Sequence, residues 1–460
     1  MGTTGRIGTG LLAICGLALA GLMAYTLTYD GLSNGKRPGP GPGHPVAADV
    51  AVFFPDRREW SHFQEAVELC SHRGLCRIAE TSEGAIVVET PRQARRVRFQ
   101  WHGTRGVRDT RDEVERIASR PRPPLAVVGS ATTVLTAALA EALSREGPDG
   151  PVLLVPWATA VRAGGEGELL AIDPGRTFRF CPNNRRLAES VVDALLEQDA
   201  DKLPGEVFLV IDPLDPYSGD LTDCFRRAIR EKVPSARIIE RTDIVGLPTP
   251  ASGPRSVPTP SMADVALADA IWTKADASPD GRPTWVVLPL QGDPSRRMIS
   301  ALQSRASWTP VGPGEGPVRV VCGDAVGREA LESLSGPRSF PIWCASISSI
   351  ARPGLGVTDD THAFAEIVSA IVLLIERSSV DSPTPDQLRD FLATLDLPET
   401  DPSAFGRPLR FDPEGERRDA PGSVLALRPG VPGLIGFALG KDGRWVRADL
   451  DREAFSGSQP

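Results

Sequence analysis

Lysine and tyrosine are almost missing from this chain. The only lysines are Lys36, Lys202, Lys232, Lys274 and Lys441, so positive charge rests almost wholly on arginine. Of the three tyrosines, only Tyr217 lies outside the first thirty residues. The formal net charge is −8, and no basic stripe is interleaved with aromatics, which sets nucleic acid aside as a partner. The five histidines (His44, His62, His72, His102 and His362) fall into no metal-ligand or nucleophile-elbow pattern. The seven cysteines show no zinc spacing. Gly164-Gly-Glu-Gly167 reads as a turn, because a phosphate loop needs a following Lys-Ser/Thr. Nothing here calls for enzyme chemistry, a metal or a cofactor.

A long uncharged run is present, from Ile7 to Tyr29 after Met1–Arg6. It exceeds the roughly 20 apolar residues that cross a bilayer. Arg6 before it and Asp30 after it favour an orientation with the N-terminus inside. A cleaved signal peptide, with Ala18-Leu19-Ala20 as the small-residue site, is the other reading of residues 1–30. Both readings export the rest of the chain, as a membrane-anchored domain or as a secreted one. Residues 31–46 form a Gly/Pro linker that acts as an extended spacer. In that exported setting, Cys70 and Cys76 have the spacing to close a small loop. Cys181, Cys224, Cys322 and Cys344 fall in or beside core elements and read as buried small hydrophobes.

Between Leu125 and Phe225 one unit occurs three times: a short apolar strand, a polar turn, then a helix. The strands are Leu125-Ala-Val-Val128, Val152-Leu-Leu-Val155 and Val207-Phe-Leu-Val-Ile211. Continuously apolar strands alternating with helices imply an α/β fold with parallel sheets covered on both faces. Ligands bind beyond the carboxyl ends of such strands. Earlier in the chain, a helix is expected over about 60–73 with Ser61 as its N-cap, then strands at Ile86–Glu89 and Arg96–Trp101. Residues 246–260, rich in Pro, Ser and Thr, read as an exposed loop. The apolar helix from about Thr361 to Arg377 is interrupted by Glu366 and Glu376, so it reads as a core helix and not a membrane span. Strands around 423–428 and 433–447 close the fold, with Asp442-Gly443 in the last turn.

Four segments carry a resemblance by their order and spacing. They are Val127-Val-Gly-Ser, Leu154-Val-Pro-Trp-Ala-Thr159, Thr177-Phe-Arg-Phe-Cys-Pro-Asn-Asn184 and Val210-Ile-Asp-Pro-Leu-Asp-Pro-Tyr-Ser-Gly-Asp-Leu221, joined later by Arg410-Phe-Asp-Pro-Glu-Gly415. This order resembles the type I periplasmic solute-binding proteins, in particular the leucine/isoleucine/valine-binding branch and the related receptor ligand-binding regions. The resemblance spans roughly residues 48–450. It implies two α/β lobes joined by three crossover strands, with 48–180 and 346–406 in the first and 184–340 and 408–450 in the second. It also implies a small ligand clamped between hinged lobes, and a permease or sensor that reads the closure.

The same resemblance supplies candidate ligand contacts. Thr133 and the Trp157-Ala158-Thr159 loop match the first-lobe positions that meet a ligand carboxylate, both expected at helix N-termini. Asp324 matches the acidic position that meets an ammonium group, Tyr217 matches the aromatic of the second-lobe loop, and Trp60 is placed as a first-lobe wall. Other roles fit the residues themselves: helix caps for Thr132, Thr133, Thr159 and Asp324, and simple packing for Tyr217. The chain departs from the family pattern in its short first loop, Phe53-Phe54-Pro55, in bulky Trp157, and in Gln291-Gly292 where an aromatic pair is common. An interaction module with a vestigial cleft is the alternative.

Overall fold

The computed structural model describes residues 46–448, apart from 131, 164–166, 200–202, 243–257, 279–280, 307–315, 335–339, 348–358, 419–421, 432 and 441. The anchor or signal segment (1–30), nearly all of the linker (31–46) and most of the 246–260 loop therefore lie outside the described residues. Val46 already belongs to the first strand, two residues before the folded sequence was expected to start.

Two separate sheets organise the chain. The first contains β1 (Val46–Phe54), β2 (Arg77–Ser82), β3 (Ala85–Glu89), β4 (Arg96–Gly103), β5 (Ala126–Val128), β6 (Val152–Val155) and β7 (Thr177–Arg179), in the order β2-β3-β4-β1-β5-β6-β7. The run from β4 through β1, β5 and β6 to β7 is parallel, and β2 and β3 extend it as antiparallel strands. The second sheet is built from β8 (Glu206–Val210), β9 (Arg237–Arg241), β10 (Thr284–Leu288), β11 (Val318–Cys322) and β12 (Ile342–Ser346). A two-stranded pair, β13 (Asp396–Leu397) with β14 (Leu409–Arg410), stands apart. The antiparallel strands β15 (Ser423–Leu427), β16 (Ile435–Leu439) and β17 (Trp445–Ala448) then complete the second sheet, whose order is β17-β16-β15-β12-β11-β10-β8-β9.

The central parallel strands of both sheets are buried on both faces, as continuously apolar strands require. In β1, Val50, Val52 and Phe54 enter one core while Ala51 and Phe53 enter another. In the second sheet, Val286 and Leu288 face one core, and Trp285 and Val287 the opposite one. The helices follow the strands: α1 (Arg57–His72), α2 (Val107–Ala118), α3 (Thr133–Ser144), α4 (Asn184–Gln198), α5 (Pro216–Lys232), α6 (Met262–Asp276), α7 (Gly292–Ala306), α8 (Arg328–Ser333), α9 (Asp359–Arg377) and α10 (Pro385–Ala393). After β12 the chain leaves the second sheet, and α9 packs against α1 in the core of the first lobe. Among the described residues no helix is long and apolar enough to cross a membrane. The apolar stripe of α9 is used for lobe packing.

Some local expectations change. Helix α1 begins at Arg57 because Asp56 caps it, accepting from the backbone N–H groups of Arg58 (2.9 Å) and Glu59 (3.0 Å). Ser61, expected as the cap, lies inside the helix and donates to the carbonyl of Arg57. A carboxylate one turn earlier is the stronger cap, since its charge also suits the helix dipole. Strand β2 was not anticipated. It is a polar, largely exposed edge strand without the apolar alternation that marks a buried one. The last hairpin turns where expected, with Gly443 at φ +77° between β16 and β17.

Candidate functional site

The carboxyl ends of β5 and β6 form the first-lobe rim. After β5, Gly129 keeps its backbone against β6 by donating to the carbonyl of Leu154 at 2.8 Å. Thr132 caps α3, its hydroxyl accepting from the N–H of Leu135 at 3.3 Å. Thr133 is the first residue of that helix and is buried. Beside it, the Ser130 hydroxyl is buried without a hydrogen-bond partner. The N-terminus of α3 thus offers unpaired backbone donors and a spare hydroxyl, a favourable place for an anion.

The loop after β6 differs from its expected setting. Trp157, Ala158 and Thr159 are all buried, but no helix begins there; the next helical turn is a short one at Leu169–Ala171. Thr159 is therefore no helix cap. Its carbonyl accepts from the N–H of Asn184 at 2.7 Å, and the carbonyl of Ala160 accepts from Arg179 at 2.7 Å. Trp157 turns into the first-lobe core, with its ring 4.3 Å from Phe364 and 6.1 Å from Phe54, centre to centre. Trp60 joins the same aromatic cluster, stacked at 5.5 Å on Phe63 and 6.3 Å on Trp101. Both tryptophans are fillers of a core whose strand-end loop is short.

Tyr217 and Asp324 come together. Tyr217 sits in the first turn of α5, which Asp215 caps. Asp324 follows β11 and opens a single helical turn, Asp324–Val326, that is separate from α8. The expected cap role for Asp324 ahead of a helix over 325–333 is not realised, since Gly323 and Gly327 hold the two cap positions. Instead the Asp324 carboxylate accepts from the Tyr217 hydroxyl at 2.7 Å, and that oxygen in turn accepts from the N–H of Ala325 at 3.4 Å. A methyl group on Gly323 would lie 2.6 Å from the Tyr217 oxygen and 2.4 Å from Leu221, so only glycine admits the pair. Burial, then the neighbouring Asp324 charge, pushes the Tyr217 hydroxyl far above its ordinary value, so it stays a donor. Burial also raises Asp215, against which a hydrogen bond from Gln291 works.

The fold has the same layout as solved bacterial binding proteins. An ABC transporter substrate-binding protein from Sphaerobacter thermophilus superposes with a TM-score of 0.58 at 12% identity, over 88% of this chain and 97% of its own. One from Desulfitobacterium hafniense, in complex with Leu, gives 0.56 at 14% identity over 87% and 99%. A solute-binding protein from R. palustris, in complex with benzoate, gives 0.56 at 12% over 88% and 98%. No family model matches the sequence, and no curated protein does. The fold is that of type I periplasmic solute-binding proteins.

In this type I fold the crossings between lobes are held by charges that the sequence reading missed. Glu366, fully buried on α9, accepts from Arg407 at 3.1 Å and from Arg417 at 2.9 Å. Arg417 also donates to the carbonyl of Phe180, and Arg407 to that of Ile347, so one carboxylate ties together segments of all three crossings. Burial opposes its charge, yet the two guanidinium groups hold Glu366 below the usual carboxylate range. Its position inside an apolar helix was the available signal, because an unpaired charge there would be very costly. Two open cavities border the crossings, of about 1000 Å³ and 470 Å³, sharing Asn183, Arg185, Asp412 and Glu416. None of the seven sequence-selected residues lines either one.

Proposed function

We propose that this chain is an extracytoplasmic solute-binding protein that holds a small zwitterion, such as an amino acid, between its two lobes. The observation that carries the reading is the Tyr217–Asp324 pair, a carboxylate fixed at a strand end of the second lobe. The α3 N-terminus with Ser130 and Thr133 would supply the anion-binding counterpart, together with the amide and hydroxyl groups of Ala158 and Thr159 in the loop after the neighbouring strand β6. A ligand ammonium would meet Asp324, and its carboxylate would meet α3. The neighbours bound to Leu and to benzoate support a carboxylate-bearing ligand. Export through the N-terminal segment, anchored or cleaved, and a permease or sensor partner complete the proposal. The lobes would be 48–180 with 346–406, and 184–340 with 408–450. Trp60 and Trp157 enter as core supports of the rim, not as its walls.

The burial of both tryptophans favours one alternative, a tethered interaction module with a vestigial cleft. A thermal-shift screen with amino acids, their amides, short peptides and benzoate separates the two. A ligand at about 100 times its Kd adds about 2.7 kcal/mol. Stabilisation by an amino acid, lost in Asp324→Asn, supports the zwitterion reading. Stabilisation by none of these compounds supports the module.

A further inference from the structure

Asp220 lies on α5, in the second lobe, with its side chain almost fully buried. Its carboxylate does not stay within its own lobe. One oxygen accepts from the backbone N–H of Val161 at 2.8 Å, and the other from the N–H of Arg162 at 3.1 Å. Both donors belong to the loop that leaves β6 of the first lobe. The Asn184 amide, at the end of the first crossing, donates to the same carboxylate at 2.9 Å. The backbone N–H of Asn184 also donates to Thr159, so this residue touches both sides of the junction. The Arg162 guanidinium lies 3.7 Å from Asp220 and pairs with Asp223 on the same helix.

We propose that Asp220 is a clasp between the lobes, positioning the loop after β6 and limiting how far the cleft opens when no ligand is bound. Consecutive backbone N–H groups converging on one carboxylate form an anion nest. Charge-assisted hydrogen bonds of this kind are roughly twice as strong as neutral ones. Separating the lobes at this point would take the two backbone donors of Val161 and Arg162 away from a carboxylate that Asn184 holds in place, so the clasped arrangement is favoured. The closed population is then raised before a ligand arrives, which shifts part of the closure from ligand to protein. Because the clasp follows directly on Ala158 and Thr159, it also fixes where those groups stand. The inference goes beyond the ligand-binding reading and does not depend on it.

The test uses the full chain without ligand. Spin labels at Arg108→Cys on α2 and Met262→Cys on α6, both exposed, report the distance between lobes by double electron–electron resonance. Hydrogen exchange reports the Val161 and Arg162 amides. Asp220→Ala is expected to lengthen and broaden the distance distribution and to speed exchange of those two amides at least tenfold, while the centre of α5 stays protected. Asp220→Asn, which keeps one accepting oxygen, should fall between the two. A folded Asp220→Ala protein with unchanged distances and unchanged exchange at 161–162 overturns the clasp. If Asp220→Ala does not fold, Asp220→Asn decides, and slow exchange of both amides in that variant overturns it equally. Neither readout requires a ligand, so failure of the clasp and failure of the zwitterion reading are distinguishable.

Discussion

The hydroxyl of Tyr217 donates to the carboxylate of Asp324 at 2.7 Å, across 107 residues of sequence. The pair joins the segment after β8 to the segment after β11, and Gly323 leaves room for nothing larger. A buried hydrogen bond to a charged acceptor is worth about 1.5–3 kcal/mol. Tyr217→Phe should therefore lower stability by about 2 kcal/mol. A urea titration checks this through a lower midpoint with an unchanged slope.

Gly323→Ala should disturb the same pair from the backbone side. The added methyl cannot coexist with Tyr217 and Leu221 where they stand, so the ring must move out. The expected result is a loss of about 1–3 kcal/mol by overpacking. A urea titration reads the loss as a lower midpoint.

Glu366→Gln removes the charge that two buried guanidinium groups share. Breaking a buried pair on one side typically costs about 3–5 kcal/mol, because the partner charge is left unpaired. Here Arg407 and Arg417 are both stranded, and both belong to the crossing region. Denaturant unfolding should show a loss at or above the upper end of that range, whereas a loss below about 1 kcal/mol would contradict the network's role.

Acid sensitivity should come in steps. Burial, then the adjacent Arg407 charge, pushes His362 down to about 4 from its ordinary 6.5. The unfolded chain therefore takes up this proton first as the pH falls. The contribution of His362 to stability is complete above about 6.5 and is lost as the pH drops toward 4. Glu113 follows lower down. Burial opposes its ionisation, but His102 and Arg116 hold it at about 2, so its contribution fades as the pH falls from about 4.5 through 2. Melting temperatures between pH 7 and 4 should decline in the natural protein and decline less steeply in His362→Leu.

Trp157→Ala should empty part of the first-lobe core beside Phe364 and Phe54. Aromatic-to-alanine truncations of this kind cost about 3–5 kcal/mol. A ligand wall would instead lose binding with little loss of stability, so melting and binding curves on one variant separate the two roles.

The sequence by itself determined the doubly covered parallel sheets, because runs such as Val152–Val155 have apolar side chains on both faces and can rest only between two layers. It also determined the order of strand, turn and helix, and it named Tyr217 and Asp324 one at a time. Only the tertiary structure decided which residues meet. Trp60 and Trp157 were drawn into a common aromatic core because burying such large rings gains more there than at a rim. Glu366 acquired partners 41 and 51 residues away, and Asp220 found backbone N–H groups about 60 residues earlier. Local pattern reports which face of an element is apolar. It does not report which buried charge will find a donor across the fold, since that pairing is fixed by the packing of both lobes at once.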